Sequence, residues 1–226
     1  MSVVRHIPNV ITCLNLLAGC MAVVCAAEGD LFCAAGWVVA AAAFDFLDGF
    51  AARCLHAFSP IGKDLDSLAD LVSFGLAPAM SVYILLDGIT ETPLPYVAFL
   101  VPVFSALRLA RFNNDSRQSD TFIGLPVPAH ALFWVSLACS LSPLGVSYGE
   151  RLLFTIPFAL VATSLLLVSP LPMFSLKMKR FSFKGNERRY LLVAAALPFT
   201  LLWGYLGIAG SVFLYIALNL VKRPSP

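Results

Sequence analysis

Residues 31–55 read LFCAAGWVVAAAAFDFLDGFAARCL, and this stretch decides the fold. It is long enough to cross a ~30 Å hydrocarbon core as a helix. It is apolar except near its end, where Asp45, Asp48 and Arg53 stand. An acidic side chain within a span costs about 2.5–3.5 kcal/mol on insertion scales, so a chain keeps one only where it faces protein, water or a cation. Asp45, Asp48, Gly49 and Ala52 fall at i, i+3, i+4 and i+7, which is one face of a helix.

The next segment carries a matching face. Gly62, Asp66 and Asp70 stand at i, i+4 and i+8, with Pro60-Ile61-Gly62 expected as the break between two antiparallel helices. Packing them together opposes the acidic faces near one end of the pair. Four such carboxylates would cost roughly 10 kcal/mol if left unpaired in lipid, and they cannot all stay ionised without a counter-charge. No His or Cys joins the cluster, so the donors suit Mg²⁺ or Mn²⁺, with Ca²⁺ a further candidate, rather than zinc. Two ions several ångströms apart would clamp a phosphate. Gly49 leaves room for a ligand, and Arg53 and Lys63 flank the cluster as phosphate partners. A buried Asp–Arg network is the structural alternative, but four acids against Arg53 and Lys63 leave surplus negative charge.

Outward from this centre, the whole 226-residue chain is 59% apolar and 12% charged, with a mean hydropathy of +0.85. Soluble domains carry about 25% charged residues. The expected fold is therefore all-α: one membrane-embedded unit over residues 1–226, a polytopic bundle of eight transmembrane helices with both termini cytoplasmic. The spans are expected near 7–27, 31–55, 64–86, 94–112, 128–147, 152–170, 190–204 and 208–221. Breaks fall at Glu28-Gly29-Asp30, Ser59-Pro60, Thr92-Pro93 and Ser142-Pro143. The first span reads as retained rather than as a cleaved signal.

With that count, fourteen of the fifteen Lys and Arg lie on the cytoplasmic side, and only Arg151 lies opposite. The stretch 177–189 is the most basic, as expected of a loop beside anionic head groups. With no basic domain and no aromatic platform, nucleic acid is not an expected partner. The six cysteines form no CxxC pair and read as small apolar residues. His6, His56 and His130 fit no ligand spacing, and Trp37, Trp134 and Trp203 read as packing or lipid contacts.

Read together, Asp45-x2-Asp48-Gly49-x2-Ala52-Arg53-x8-Gly62-x3-Asp66-x3-Asp70 resembles the signature of the CDP-alcohol phosphatidyltransferases at every fixed position. The span pattern resembles that family's six-helix core over about residues 5–170, and the pair over 190–221 looks like an extension. The resemblance implies transfer of a phosphatidyl group from a CDP-linked lipid to an alcohol, with release of CMP. It implies that Asp45, Asp48 and Asp66 hold metals, with Asp70 as a further ligand and general base. Gly49, Arg53 and Ser59 would contact the nucleotide and its diphosphate, together with Asn9 and Thr12 at the head of the first helix.

Residues 62–75, Arg108-Leu109-Ala110-Arg111-Phe112-Asn113 and residues 122–128 are similar to the phosphatidylserine synthase branch. CDP-diacylglycerol and L-serine are then the implied substrates, in a homodimer in a prokaryotic plasma membrane with the site facing the cytoplasm. Arg108 and Arg111, at i and i+3, could hold the serine carboxylate, or serve as anchors snorkelling to head groups; Asn113 could add a polar contact. The same chemistry with glycerol 3-phosphate or an inositol phosphate is the near alternative. A cation transporter is the distant one, but it calls for acids spread across membrane depth.

Overall fold

Local chemistry starts and stops the helices. In the computed structural model, which describes residues 6–57, 59–114, 121–142, 145–174 and 187–221, α1 (Ile7–Ala27) opens with Pro8 in its first turn, where the missing N–H costs nothing. The chain turns through Gly29, at φ +83°. It enters α2 (Leu31–Cys54), whose N-cap Asp30 accepts a hydrogen bond from the Cys33 N–H at 2.8 Å. The following helix, α3 (Pro60–Asp87), begins four residues before the expected start. Pro60 to Gly62 are its first turn rather than a break, because Ser59 caps the helix by accepting from the Gly62 N–H at 3.0 Å.

Directly after Asp70, α3 widens into a π-helical stretch, Leu71–Leu76. Then come α4 (Leu94–Asn114), α5 (Val127–Leu141), α6 (Gly145–Val168), α7 (Glu187–Trp203) and α8 (Tyr205–Val221). The polar run 147–150, which hydropathy reads as loop, forms the first turns of α6. That makes eight helices among the described residues. By length and composition α1, α2, α3, α4 and residues 151–168 of α6 could cross a membrane, while α5 and α8 are shorter apolar helices. Large apolar side chains face outward, such as Phe154 (81% exposed) and Phe158 (78%). Lipid is the solvent that tolerates such a surface, and the chain is an integral membrane protein. Arg5, Arg117, Lys222, Arg223 and most of the basic stretch after Lys177 lie outside the described residues.

One element departs from the all-helical expectation. Strands β1 (Thr121–Ile123) and β2 (Pro172–Phe174) pair antiparallel, Thr121 opposite Phe174. The ribbon is anchored where Gly124, at φ +78°, donates its N–H to the Leu171 carbonyl at 2.9 Å. A Cβ there would lie 2.3 Å from the Leu167 carbonyl oxygen, so only glycine lets the chain pass.

The alternating course of the chain collects the start of α1, the end of α2, the start of α3, the end of α4 and the ribbon at one end of the bundle. One buried cluster there joins Phe74, Leu109, Leu125, Met173, Phe174 and Tyr215. A second, built on Leu86, Val101, Trp134 and Leu160, fills the other end.

Candidate active site

The two acidic faces meet as their spacing requires. Asp45 and Asp48 on α2 and Asp66 on α3 place one carboxylate oxygen each within 4.8 Å of one another. Asp48 is buried, and Asp45 and Asp66 are half-buried. Asp70, one turn along α3 and buried, is not among the three converging oxygens. It neighbours them closely enough to interact electrostatically with Asp45, Asp66 and Asp48. Among the described residues, none of the four aspartates has an ion-pair partner, and Asp45, Asp48 and Asp66 have other aspartates of the cluster as charged neighbours.

The first helix supports this cluster from behind. The Thr12 hydroxyl lies 2.7 Å from Asp48 Oδ2, to which it donates, and 3.0 Å from the Pro8 carbonyl. The Asn15 amide donates to Asp70 Oδ1 at 3.3 Å, and the Asn15 carbonyl accepts from the Ser73 hydroxyl at 2.9 Å. These contacts need α1 and the π-helical stretch to touch. Gly19 provides that approach, since a Cβ on it would stand 2.7 Å from Ser73 Cα. The sequence reading missed Asn15 and Ser73. The signal for Asn15 was present: Thr12, Asn15, Gly19 and Ala22 share one buried face at helical spacing, so the two polar side chains point toward the acids.

The expected nucleotide contacts divide. Asn9 Oδ1 and Ser59 Oγ each lie 3.0 Å from the position a Gly62 Cβ would take, so Asn9, Ser59 and Gly62 meet at the first turn of α3. Arg53 is exposed in the last turn of α2, with Nη1 over the open face of Gly49. Thr12 is committed to Asp48. Lys63 Nζ donates to the Asn113 carbonyl at 2.6 Å, and the Asn113 amide donates to the Ser67 hydroxyl at 2.7 Å. Lys63 and Asn113 therefore latch α3 to α4 at the rim.

The Arg108–Arg111 pair is also split. Arg111 is exposed and donates from Nη1 to the Val168 carbonyl at 3.1 Å, capping α6. Arg108 is only 8% exposed, so it does not snorkel. Its Nε–H has no partner, its guanidinium lies 5.8 Å from the Phe112 ring centre, and Asp70 and Tyr215 are its electrostatic neighbours. His130 is buried in packing: its Nε2 accepts from the Trp134 indole at 3.1 Å, and its Nδ1 has no partner.

Three carboxylate oxygens converge with no basic side chain to neutralise them, and Asp66 Oδ1 is buried without a partner. An all-oxygen set of this kind fits a hard divalent cation. Fold and site define a polytopic helical membrane protein with an acidic, cation-adapted pocket at one end.

The chain belongs to the CDP-alcohol phosphatidyltransferase family, whose model matches residues 5–169. It is 34% identical over 213 residues to the CDP-diacylglycerol–serine O-phosphatidyltransferase of Mycobacterium bovis, covering 87% of this chain and 73% of that protein. It is also 34% identical over 149 residues to the Bacillus subtilis protein of the same name, covering 64% and 82%. Its identity to the archaetidylserine synthase of Methanothermobacter thermautotrophicus is 32% over 168 residues, covering 72% and 67%.

Proposed function

We propose that this chain transfers the phosphatidyl group of CDP-diacylglycerol to the hydroxyl of L-serine and releases CMP. It does so as a homodimer among the lipids of a prokaryotic plasma membrane, with its site toward the cytoplasm. The observation that carries the reading is the convergence of the Asp45, Asp48 and Asp66 carboxylates, with buried Asp70 one turn further along α3, in a family that moves such groups. A transporter would spread its acids across membrane depth; here they gather at one end.

Asp45, Asp48 and Asp66 would hold Mg²⁺ or Mn²⁺, with Asp70 as a further ligand for a second ion. Such ions would supply positive charge against the diphosphate, which favours departure of CMP. Asn9, Gly49, Arg53 and Ser59 line the approach for the nucleotide and its diphosphate, and Lys63 offers its remaining N–H donors at the rim. Thr12 serves indirectly, by orienting Asp48. Arg108 holds the serine carboxylate through its unpaired N–H while Asp70 accepts the hydroxyl proton. A bond forms between the serine oxygen and phosphorus as the phosphorus–oxygen bond to CMP breaks. General-base help of this kind contributes about 10²–10⁴-fold. No cysteine or serine nucleophile with a neighbouring base is required.

The test is CMP release by membranes supplied with CDP-diacylglycerol and Mg²⁺ or Mn²⁺, with and without L-serine, using Asp70→Asn as the blank. Serine-dependent CMP together with a new aminophospholipid supports the reading. CMP that appears only with glycerol 3-phosphate or an inositol phosphate removes serine as acceptor. Folded protein that releases no CMP with any alcohol removes the transferase reading.

A further inference from the structure

The first helix brings to the acids a buried amide of which only one half has a partner. Asn15 is 0% exposed, and its side-chain N–H donates to Asp70 Oδ1 at 3.3 Å. Its main-chain carbonyl accepts from the Ser73 hydroxyl at 2.9 Å, which fixes this turn of α1 against the π-helical stretch of α3. The side-chain oxygen, Asn15 Oδ1, is buried and receives no hydrogen bond. A buried acceptor without a donor is costly unless it is kept where a ligand will satisfy it.

The surroundings narrow what that ligand carries. The oxygen and nitrogen of an amide share one carbon, so Oδ1 stands within an amide's width of the N–H that Asp70 accepts. Thr12, one turn earlier on the same buried face, commits its hydroxyl to Asp48 and the Pro8 carbonyl. Asp45, Asp48 and Asp66 converge on one another as a cation site. Asn15 thus adds a neutral acceptor beside Asp70, where a further carboxylate would add to the surplus of negative charge.

In the reading above, the acceptor gives its hydroxyl proton to Asp70 and its carboxylate to Arg108. The polar group of L-serine that is left over is an ammonium, with three donors and no acceptor. It sits on the carbon next to the one that bears the hydroxyl. Whatever accepts from the ammonium must therefore adjoin whatever accepts from the hydroxyl, and Asn15 Oδ1 adjoins Asp70.

We propose that Asn15 Oδ1 takes the ammonium of the acceptor, so that Asp70 and Asn15 together read a hydroxyl and an ammonium on adjacent carbons. This rests on the serine-transferase reading above. One amide then has two uses: its N–H orients Asp70, and its oxygen selects an amino alcohol. Alcohols without an ammonium, such as glycerol 3-phosphate or an inositol phosphate, leave that oxygen buried and unpaired, which is how a polar site rejects an analogue.

The experiment compares L-serine with 3-hydroxypropionate, the same acceptor without its ammonium, in CMP release by the purified full chain in mixed micelles. The wild-type chain should favour L-serine in kcat/KM by at least about 10- to 100-fold, the scale of a hydrogen bond to a charged group. Where 3-hydroxypropionate is not turned over, its inhibition constant against L-serine is compared with the KM for L-serine instead. Asn15→Leu keeps the size of the side chain and removes both polar atoms. Loss of the N–H lowers kcat for both acceptors alike, whereas loss of the oxygen falls on L-serine alone, so the preference should shrink to within about threefold. Asn15→Ala carries the same expectation where Asn15→Leu does not fold.

A wild-type chain that binds or uses both acceptors equally well overturns the proposal without any variant. An undiminished preference for L-serine in the folded Asn15 variants overturns it too, since the amide then only positions Asp70. The same undiminished preference with a tenfold rise in the metal needed for half-maximal release gives Oδ1 to the cation, which also overturns it. If the wild-type chain releases CMP with no dependence on serine, the transferase assignment fails first, and this inference with it.

Discussion

Replacing Gly19 by alanine tests whether the approach of α1 to α3 sets the geometry of the site. The added Cβ would stand 2.3 Å from Ser73 Oγ and 2.7 Å from Ser73 Cα. The hydroxyl can rotate away, but the Cα belongs to the backbone and cannot. Comfortable carbon contacts begin near ~3.5 Å, so the two helices must part by about 0.8 Å. The Asn15–Asp70 hydrogen bond, already 3.3 Å long, does not survive that opening. The Ser73–Asn15 contact, now at 2.9 Å, opens to about 3.7 Å and is lost as well.

Overpacking of this kind costs about 1–3 kcal/mol of stability, and a displacement near 1 Å at a catalytic group can cost about 10²-fold in rate. The assay is CMP release at saturating substrates and metal, alongside thermal unfolding in the same micelles. Gly19→Ala should lose activity by ~10- to 100-fold and unfold several degrees earlier. Gly36→Ala, whose Cβ would meet only the Tyr205 hydroxyl at 3.4 Å, should behave as wild type. Activity and melting temperature both unchanged in Gly19→Ala would refute the claim that this contact positions Asp70.

Thr12→Val removes the hydroxyl that holds Asp48 Oδ2 at 2.7 Å; loss of such a supporting bond should raise the metal concentration needed for half-maximal CMP release about 10- to 100-fold, with activity largely recovered at saturating metal. Chelation by EDTA should abolish CMP release, and Mg²⁺ or Mn²⁺ should restore it where Zn²⁺ does not, read in the same assay. Arg111→Ala should leave the serine KM within about twofold and lower the melting temperature slightly, because its partner is the Val168 carbonyl at the end of α6.

The sequence by itself determined the helices, the two acidic faces and the family, because these are local properties. A helix repeats every 3.6 residues, so Asp45 and Asp48 must share a face, and no later packing can separate them. The same local rule, read with more care, would have placed the start of α3 at Pro60, where Ser59 caps it.

What the tertiary structure alone decided is which of several equally polar side chains stays available for chemistry. Arg108 and Arg111 are indistinguishable by spacing and charge. One is buried and the other caps α6, because α6 packs along α4 and its end lies within reach of Arg111. Lys63 and Asn113, both reasonable ligand contacts in sequence, spend hydrogen bonds on latching α3 to α4. Tyr215 and Asn219 hold the backbone of Phe174 across more than forty residues of chain. Such a meeting has no periodicity to announce it; it exists only once the helices have packed.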